Sequence, residues 1–401
     1  MKANMKQGDH GMKCSIPYRL VFFMAVALAI SQGTLSSQSA DRYFDQAVTD
    51  SKEVRLTVFF PIEEFIGNLV ELKKLGFITL DNLTVIGVYH EKELEESTDY
   101  RKSKEFVAKN NLNWMKFHKI SGELTKNNLF QKNPCTAEFE EIFKKSDGVI
   151  FFGGADIPPS IYGEKTSLLT SIQTPYRHFL ELSFIFHLLG GSQNNQSRPL
   201  LDSRPLFPVI CFCLGCQSLN VGTGGSLIQD IWSETYQKTL YEDVCSLPRE
   251  AWHRNPFCSL FPARNFSFFV MHPISLAAEG KFCTELGFAK TDNPYVLSAH
   301  HQAVGKLGKG IKVAATSSDG KVIEAIEHED YANVLGVQFH PEYTFIWDQE
   351  IKFKFTPDDT DLISFRSILE NNPPSVNFHK KLWAWFCSKL EESHSRKIRM
   401  K

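Results

Sequence analysis

The chain has 401 residues, of which 42% are hydrophobic and 22% are charged, and its formal net charge is −2. This composition excludes an intrinsically disordered chain, which would be poor in apolar residues, and the 24 glycines exclude a collagen-like repeat. The near-neutral charge provides no strongly basic domain of the kind that binds nucleic acid. At this length we expect a folded protein of one or two domains.

The first forty residues have the order of a secretory signal. Lys13 and Arg19 precede an apolar run of eleven residues over 20–30, and small and polar residues follow up to position 40. Because a membrane-spanning helix needs about 20 residues, this run is too short to cross a bilayer. The alternatives are a membrane anchor or a buried helix. We predict a signal peptide and leader over 1–40, cleavage between 33 and 40, and a mature protein in the periplasm, outside the cell or in a lysosome-like compartment.

The rest of the chain alternates between strand-like and helix-like segments. Apolar runs predict strands over 54–60, 83–89, 114–120, 148–152 and 208–212, and helical spacing predicts helices over 63–75, 102–110, 137–145, 175–189 and from 214 onward. Beyond 265 the pattern predicts strands over 266–271, 311–316, 322–328 and 334–339. The alternation favours a doubly wound α/β fold of the flavodoxin-like kind, with a mostly parallel sheet covered on both faces. We expect one domain over 50–390, with insertions near 190–204 and 232–265, the former an exposed loop.

A sharp strand-to-helix turn presents a cysteine at position 213. The apolar run ends at Cys213 and helical spacing begins at once, while Gly215 leaves room for the strand and the helix to approach each other. This is the arrangement of a nucleophile elbow, in which the side chain is exposed at the carboxyl edge of the sheet and the helix N-terminus favours a thiolate. A buried core thiol, the usual state of a lone cysteine, is the alternative.

The other cysteines raise two further possibilities. Cys211, Cys213 and Cys216 form a C-x-C-x-x-C run, but zinc sites usually take four ligands, and no histidine or fourth cysteine lies nearby in sequence. Of the nine cysteines, Cys14 lies in the predicted signal, which leaves eight. In an oxidising compartment some of these eight could pair as disulfides, with a connectivity that the spacing does not reveal.

A histidine and a glutamate follow the last predicted strand. His340 and Glu342 are separated by Pro341, and side chains two residues apart in an extended segment point the same way. A carboxylate beside an imidazole holds its tautomer and stabilises the imidazolium, which the base for a thiol nucleophile requires. Alone, His340 could be a hydrogen-bonded core histidine. Its coincidence with the Cys213 elbow predicts a Cys-His-Glu triad.

Two glycines follow the predicted strand over 148–152. Gly153 and Gly154 have no side chains, so their backbone N–H groups can line an oxyanion hole. Glycine pairs are also common in ordinary turns, so this motif gains its meaning from the two motifs above.

Together these motifs resemble the class I glutamine amidotransferase-like superfamily and, within it, the γ-glutamyl hydrolase branch, peptidase family C26. The resemblance rests on Cys-Leu-Gly-x-Gln from Cys213, His-Pro-Glu from His340, GGADIPPSIYG over 153–163, LNVGTGGSLIQDI over 219–231 and SAHHQAV over 298–304. It covers roughly 140–345, whereas the segment 50–135 matches the family poorly.

The resemblance implies a role for each motif. Cys213 is the implied nucleophile, His340 the base and Glu342 the carboxylate that orients it, and the oxyanion donors are the backbone N–H groups of Gly154 and Leu214. The candidate substrate contacts are Gln217, one helical turn after the nucleophile, and three residues of a separate loop, namely His300, His301 and Gln302.

The implied activity is hydrolysis of a γ-glutamyl amide bond through a thioester, on a small γ-glutamyl substrate and without a metal or organic cofactor. Two other classes stay open. One is a glutaminase subunit that feeds ammonia to a synthetase, although the chain has no recognisable synthetase domain. The other is a non-catalytic relative that binds a ligand in the same pocket, against which the intact triad counts. We expect no nucleic-acid partner and no membrane association after signal removal, and a homodimer is one candidate oligomeric state.

Overall fold

The computed structural model describes residues 41–46, 52–94, 98–262 and 266–399. The predicted signal peptide and its cleavage region lie outside these residues. Over the described ranges, no helix combines the length and the apolar character needed to cross a membrane.

Strands and helices alternate along the first half of the chain. The strands are β1 (Val54–Phe59), β2 (Leu83–His90), β3 (Met115–Ile120), β4 (Gly148–Phe151), β5 (Val209–Phe212), β6 (Leu227–Ile228), β7 (Val270–Leu276), β8 (Tyr295–Ser298), β9 (Ala303–Val304), β10 (Ile311–Ser317), β11 (Ile323–His328), β12 (Val334–Val337), β13 (Lys352–Phe353) and β14 (Ile363–Ser364). The helices are α1 (Glu63–Lys74), α2 (Tyr100–Lys109), α3 (Thr136–Lys145), α4 (Pro175–Leu189), α5 (Leu214–Gly222), α6 (Tyr241–Cys245), α7 (Phe257–Leu260), α8 (Lys281–Thr284), α9 (Phe365–Glu370) and α10 (Pro373–Arg399).

One large sheet forms the centre of the molecule. Its strand order is β3-β2-β1-β4-β5-β12-β11-β10-β7-β8, and β6 and β9 join it beside β11. Pairing is parallel from β3 to β12 and antiparallel from β12 to β8. The central strands β1, β4, β5 and β12 are buried along their whole length, as strands covered on both faces must be.

Helices cover both faces of the parallel half. On one face Leu69 of α1 and Trp383 of α10 pack in the same apolar core. On the other face Phe139 of α3 meets Phe184 of α4 edge to face, with ring centroids 5.2 Å apart, and Leu219 of α5 joins them. The predicted doubly wound α/β fold is therefore confirmed.

The strand predicted over 266–271 is displaced in the structure to Val270–Leu276. The prediction stopped before Pro273, which lacks a backbone N–H. The strand continues through it because β7 changes partner there: residues 270–273 pair with β8, and residues 274–276 pair with β10. Proline is tolerated where the ladder on one side has ended.

The two segments predicted as insertions contain only short helical elements where the structure describes them. The segment 190–204 is a loop, part exposed and part half-buried, with Leu201 buried in a short 3-10 turn. The segment 232–265 contains α6 and α7 and contributes Trp252 to a separate apolar cluster with Val270 of β7. In the described part of the chain Cys135, Cys211, Cys213, Cys216, Cys245, Cys283 and Cys387 are free thiols.

The strand order reverses between β1 and β4, so the crevice at the carboxyl ends of these strands is the expected ligand site of such a fold. Three chain segments leave the sheet at this edge. β1 is followed by Phe60, which has a φ of 58°, β4 runs into Gly153, and β5 runs into Cys213. The topology therefore brings the glycine pair and the cysteine to the same crevice.

Candidate active site

Cys213 lies in a strained turn between β5 and α5. Its φ of 51° and ψ of −106° lie outside the regions that non-glycine residues normally adopt. The Cys213 N–H donates to the carbonyl of Val337 at 2.8 Å, which ties the turn to the neighbouring strand β12. A Cβ on Gly215 would lie 2.4 Å from the Phe151 carbonyl oxygen, so only glycine lets the helix approach β4 this closely. This geometry is that of a nucleophile elbow.

His340 and Glu342 form a buried pair directly after β12. The His340 Nδ1 lies 2.7 Å from Glu342 Oε1, and the Cys213 side chain lies close enough to the ring to affect its pKa. Burial by itself lowers the pKa of His340, but the negative charges of Glu342 and Cys213 outweigh it and raise the pKa to about 10. The ring therefore carries a proton at neutral pH, which makes it a ready acid beside the sulfur.

Gly153 shows how closely the cysteine and the histidine approach each other. A Cβ at this position would lie 2.9 Å from His340 Cε1 and 3.5 Å from Cys213 Cβ. The same empty space thus borders both side chains, and any larger residue would push the histidine ring away. The predicted Cys-His-Glu arrangement is brought together at the carboxyl edge of the sheet.

The two predicted oxyanion donors are neighbours in the structure. A Cβ on Gly154 would lie 3.0 Å from Leu214 Cδ2, which places the glycine loop against the first turn of α5. Within the described chain, neither the Gly154 amide nor the Leu214 amide donates to another protein group. Two such amides beside an elbow cysteine are suited to a developing oxyanion.

A buried ion pair supports the glycine loop from behind. Arg177 of α4 donates through Nε to Glu181 at 2.7 Å and through Nη2 to the Phe152 carbonyl at 2.9 Å. Its guanidinium also lies 3.8 Å from the ring centroid of Phe60. A Cβ on Gly154 would lie only 2.0 Å from Arg177 Nη1, so the arginine closes the space behind the loop.

Comparison with known proteins decides the family. The family model of peptidase C26 matches residues 84–342 of this chain, more than half of its length. The chain belongs to the peptidase C26 family. The match begins at 84, so it includes much of the segment 50–135 in which the sequence analysis found little family likeness.

Curated relatives agree with this membership. A glutamine amidotransferase-like protein of Lactococcus lactis is 31% identical over 204 residues, which are 51% of this chain and 68% of the relative. Protein NtpR of Enterococcus hirae is 31% identical over 199 residues, covering 49% of this chain and 67% of the relative. The gamma-glutamyl-gamma-aminobutyrate hydrolase PuuD of Escherichia coli is 26% identical over 205 residues, covering 51% and 67%. Family and relatives together support a hydrolase.

Two of the four substrate contacts predicted for this peptidase C26 chain are internal links. Gln217 and Gln302 are only 4% and 1% exposed. The Gln217 side-chain amide lies 3.2 Å from the Gln302 carbonyl oxygen and 3.3 Å from Gln338 Oε1, and it donates to both. These contacts hold the 299–304 loop against α5 through the Gln217 side chain and the Gln302 backbone, whereas the buried side-chain amide of Gln302 has no hydrogen-bond partner in the described structure.

His300 and His301 are adjacent in sequence but point to different surroundings. His300 is buried among His253, His272 and Glu324, and burial, only partly opposed by Glu324, lowers its pKa to about 3. The structure thus removes His300 from the exposed wall of the site, because its ring turns into the core beneath the loop.

His301 is partly exposed and lies between two aspartates, one of which follows the glycine loop. Its side chain is 15% exposed, its Nε2 lies 3.1 Å from Asp156, and its Nδ1 lies 3.3 Å from Asp230. Burial lowers the pKa of His301, but the two carboxylates more than offset that effect and raise it. Asp156 is two residues after Gly154, so this charged triplet lies next to the proposed oxyanion hole.

The sequence analysis quoted Asp156 and Asp230 within family motifs but assigned them no role. The signal that was missed is that each aspartate stands inside a quoted motif, Asp156 two residues after Gly154 and Asp230 near the end of the 219–231 motif. Arg254 was also missed, since it lies in the predicted insertion, where no motif marks it. Its guanidinium lies 4.5 Å from the Trp232 ring centroid and acts electrostatically on His301 and both aspartates.

The flanking cysteines are core residues. Cys211 and Cys216 are fully buried, and burial raises the pKa of both thiols well above the ordinary value. In the ranges that the structure describes, the group with metal-ligand spacing contains no cysteine. Cys211 and Cys216 therefore pack around the elbow as small apolar groups.

Proposed function

We propose that this protein is a cysteine hydrolase that cleaves γ-glutamyl amide bonds through a thioester on Cys213. The observation that carries the proposal is the meeting of the strained cysteine with the His340–Glu342 pair, in a chain of the peptidase C26 family. A relative named as a gamma-glutamyl-gamma-aminobutyrate hydrolase supports the choice of bond.

The first half of the proposed reaction transfers the acyl group to sulfur. The Cys213 thiolate attacks the amide carbonyl carbon, and the carbonyl electron pair moves onto oxygen, where the N–H groups of Gly154 and Leu214 stabilise it. As this tetrahedral intermediate collapses, the C–N bond breaks and protonated His340 donates its proton to the departing nitrogen. The products are a free amine and a γ-glutamyl thioester.

The second half returns the enzyme to its starting state. His340, now neutral, takes a proton from water, and the resulting hydroxide attacks the thioester carbonyl. The C–S bond breaks, glutamate leaves, and the thiolate is restored beside a protonated His340. Glu342 holds the same ring nitrogen throughout through its 2.7 Å hydrogen bond, so it orients the base without exchanging protons itself.

The charged triplet of Asp156, His301 and Asp230 is suited to the α-amino acid end of a γ-glutamyl group. The carboxylates match its α-amine, and the cations His301 and Arg254 match its α-carboxylate. A site that pairs both charges would leave them unpartnered when an α-linked peptide enters, and such a mismatch discriminates strongly.

The decisive experiment compares matched γ- and α-linked substrates. The protein is incubated with γ-glutamyl-p-nitroanilide and its α-linked isomer, and with a panel of γ-glutamyl amines whose products are identified by mass spectrometry. We expect release from the γ-linked compounds only, together with a glutamyl adduct on Cys213 in the quenched enzyme. Equal rates on both isomers would reject the γ-glutamyl assignment even with Cys213 as the nucleophile.

A glutaminase is the second candidate, because several relatives are named as glutamine amidotransferases or amidotransferase-like proteins. The same panel includes free glutamine. If ammonia release from glutamine exceeds release of larger amines, the amidotransferase function is favoured. Labelling by an iodoacetamide probe without any turnover on the panel would instead indicate a non-catalytic relative.

We also propose that the chain is exported, on the strength of the basic, apolar and small-residue order of residues 1–40. N-terminal sequencing of protein from its native host should then begin between residues 34 and 41. A mature chain that still begins at Met1 in the cytosol would reject export and strengthen the amidotransferase alternative.

A further inference from the structure

A second group of reactive side chains lies beneath the 299–304 loop and takes no part in the proposed reaction. It consists of His253, His272, His300 and Glu324, which we call the histidine cluster. One nitrogen or oxygen atom from each residue lies within 4.8 Å of the corresponding atoms of the others, and all four residues are buried. They come from separate elements, namely the 232–265 segment, β7, the loop after β8, and β11.

Hydrogen bonds set which ring nitrogen faces the centre of the cluster. His300 Nδ1 lies 2.9 Å from the Gln302 carbonyl, and His272 Nδ1 lies 3.2 Å from the Pro273 carbonyl. Since a carbonyl only accepts, the ring proton lies on Nδ1 in both residues and Nε2 presents a lone pair inward. Histidines that bind metals are usually held in this way, with the outer N–H donated to a carbonyl or carboxylate.

The remaining two members complete the same arrangement. His253 directs Nδ1 to 3.1 Å from Glu324 Oε1, while its Nε2 faces the Tyr236 hydroxyl at 3.5 Å. The Nε2 atoms of His272 and His300 lie 3.7 and 3.8 Å, respectively, from the same carboxylate oxygen. Three nitrogen atoms and one oxygen atom thus converge on one point.

Without a cation this convergence is unfavourable. The Glu324 side chain is 0% exposed, and in the described structure neither of its oxygens has a hydrogen-bond partner. His253 Nδ1 and His300 Nε2 also have none there. Buried carboxylates are normally paired or bound to a metal, because an unpaired buried charge is very costly.

We propose that the histidine cluster binds one zinc ion. Three imidazole nitrogens and a carboxylate oxygen are zinc ligands, and ligand atoms about 2.0–2.1 Å from a tetrahedral ion lie roughly 3.3 Å apart. The three nitrogens here lie 3.1 to 3.8 Å from the carboxylate oxygen, and all four atoms lie within 4.8 Å of one another, so the side chains would draw together slightly around the ion. The Ser298 hydroxyl, which now lies 2.7 Å from His272 Nε2, would turn away on binding. Four protein ligands leave no open position, so the zinc is structural.

The position of the cluster indicates what the zinc would hold in place. His300 lies between the loop and the core, and the next residue, His301, contacts Asp156 and Asp230. His253 immediately precedes Arg254 in the 232–265 segment. One ion would therefore fix both segments that carry the proposed substrate-binding charges, without touching the substrate.

The first test uses the unmodified protein. It is purified without a metal-affinity step, dialysed extensively, and analysed for metals by plasma mass spectrometry and by X-ray absorption at the zinc edge. We expect about one zinc per chain, with only nitrogen and oxygen neighbours at about 2.0–2.1 Å. Sulfur neighbours would assign the metal to the cysteines and overturn the proposal, as would stoichiometric iron, manganese or nickel in place of zinc.

Adjacent histidines provide a matched control. The change His300→Gln should reduce bound zinc at least tenfold, whereas His301→Gln and Cys213→Ala should leave the zinc content unchanged. Equal loss in both histidine variants would overturn the assignment of ligands.

If His300→Gln does not fold, refolding of the unmodified chain replaces it. The denatured protein is refolded with either zinc or EDTA, and melting temperatures are compared. A higher melting temperature with stoichiometric zinc uptake supports the site. Refolding to the same melting temperature in EDTA, with no zinc taken up when it is supplied, overturns it.

Discussion

Two of the histidine–carboxylate arrangements in the described structure, the elbow pair and the histidine cluster, hold their rings in opposite protonation states because their carboxylates act on the rings to different extents. At the elbow, burial lowers the pKa of His340, but Glu342, which lies 2.7 Å from the ring, and Cys213 outweigh it and raise the pKa to about 10. In the histidine cluster, one carboxylate oxygen lies 3.1 to 3.8 Å from three rings, and burial dominates, lowering the pKa of His300 to about 3. A ring with its own carboxylate becomes a proton donor, whereas rings that share one stay neutral and offer lone pairs.

The largest expected effect is the loss of activity when the nucleophile at the elbow is removed, while the histidine cluster is left intact. Cys213→Ala should reduce turnover of γ-glutamyl-p-nitroanilide by at least about 10⁴-fold, because no other group can form the thioester. The melting temperature should stay within about 3 °C of the unmodified protein, since the histidine cluster and the core are untouched.

Cys216→Ala is the control for that change. Cys216 is fully buried and flanks the elbow, so its variant should keep substantial activity. If Cys216→Ala were as inactive as Cys213→Ala, the assignment of the nucleophile would fail.

The next effect concerns the elbow histidine. His340→Ala should lower kcat/KM by about 10³-fold or more, because both the proton donor and the base are lost. Glu342→Gln should lower kcat/KM by a smaller factor, about 10²-fold, because it removes the negative charge that orients the ring but leaves the His340 ring itself in place. Steady-state kinetics of the two variants check the order, and a fully active His340→Ala would require another base.

A smaller effect follows from the space beside the elbow. Gly153→Ala places a methyl group 2.9 Å from His340 Cε1, which must displace the ring by a few tenths of an ångström. We expect kcat to fall by about 10²-fold, as small misplacements of catalytic groups do, with KM less affected. Gly67→Ala is a matched control, because the nearest atom to its added methyl lies 4.0 Å away. Similar losses in both variants would show that His340 is not the cause.

The smallest expected effect is a change in pH dependence. His340 has a folded-state pKa of about 10 against an ordinary 6.5, so its protonation stabilises the folded state fully below about pH 6.5 and progressively less as pH rises toward 10. Over the same alkaline range His340 loses the proton that it donates to the departing nitrogen, so kcat/KM should fall as pH approaches 10. In Glu342→Gln the fall should begin at lower pH. An alkaline limb that does not move in this variant would contradict the role of Glu342.

The features near each other in sequence were predictable. His340 and Glu342 lie two residues apart after a strand, so their shared direction follows from strand geometry alone. The elbow at Cys213 follows from an apolar run that meets a helix, and the doubly wound fold follows from the alternation of the two patterns. The strand predicted over 266–271 lies at 270–276 in the structure, because its course through Pro273 depends on two partner strands that meet there, which the local pattern does not show.

The sequence by itself therefore determined the fold class, the elbow and the histidine–glutamate pair, since each depends on the local period of the chain. Only the tertiary structure decided which way His300 and His301 face. Neighbouring residues in a loop can point in opposite directions, and the partners here come from distant segments: Asp156 and Asp230 for one ring, and His253, His272 and Glu324 for the other. Protonation follows from these surroundings, because desolvation and nearby charge are set by packing rather than by residue type.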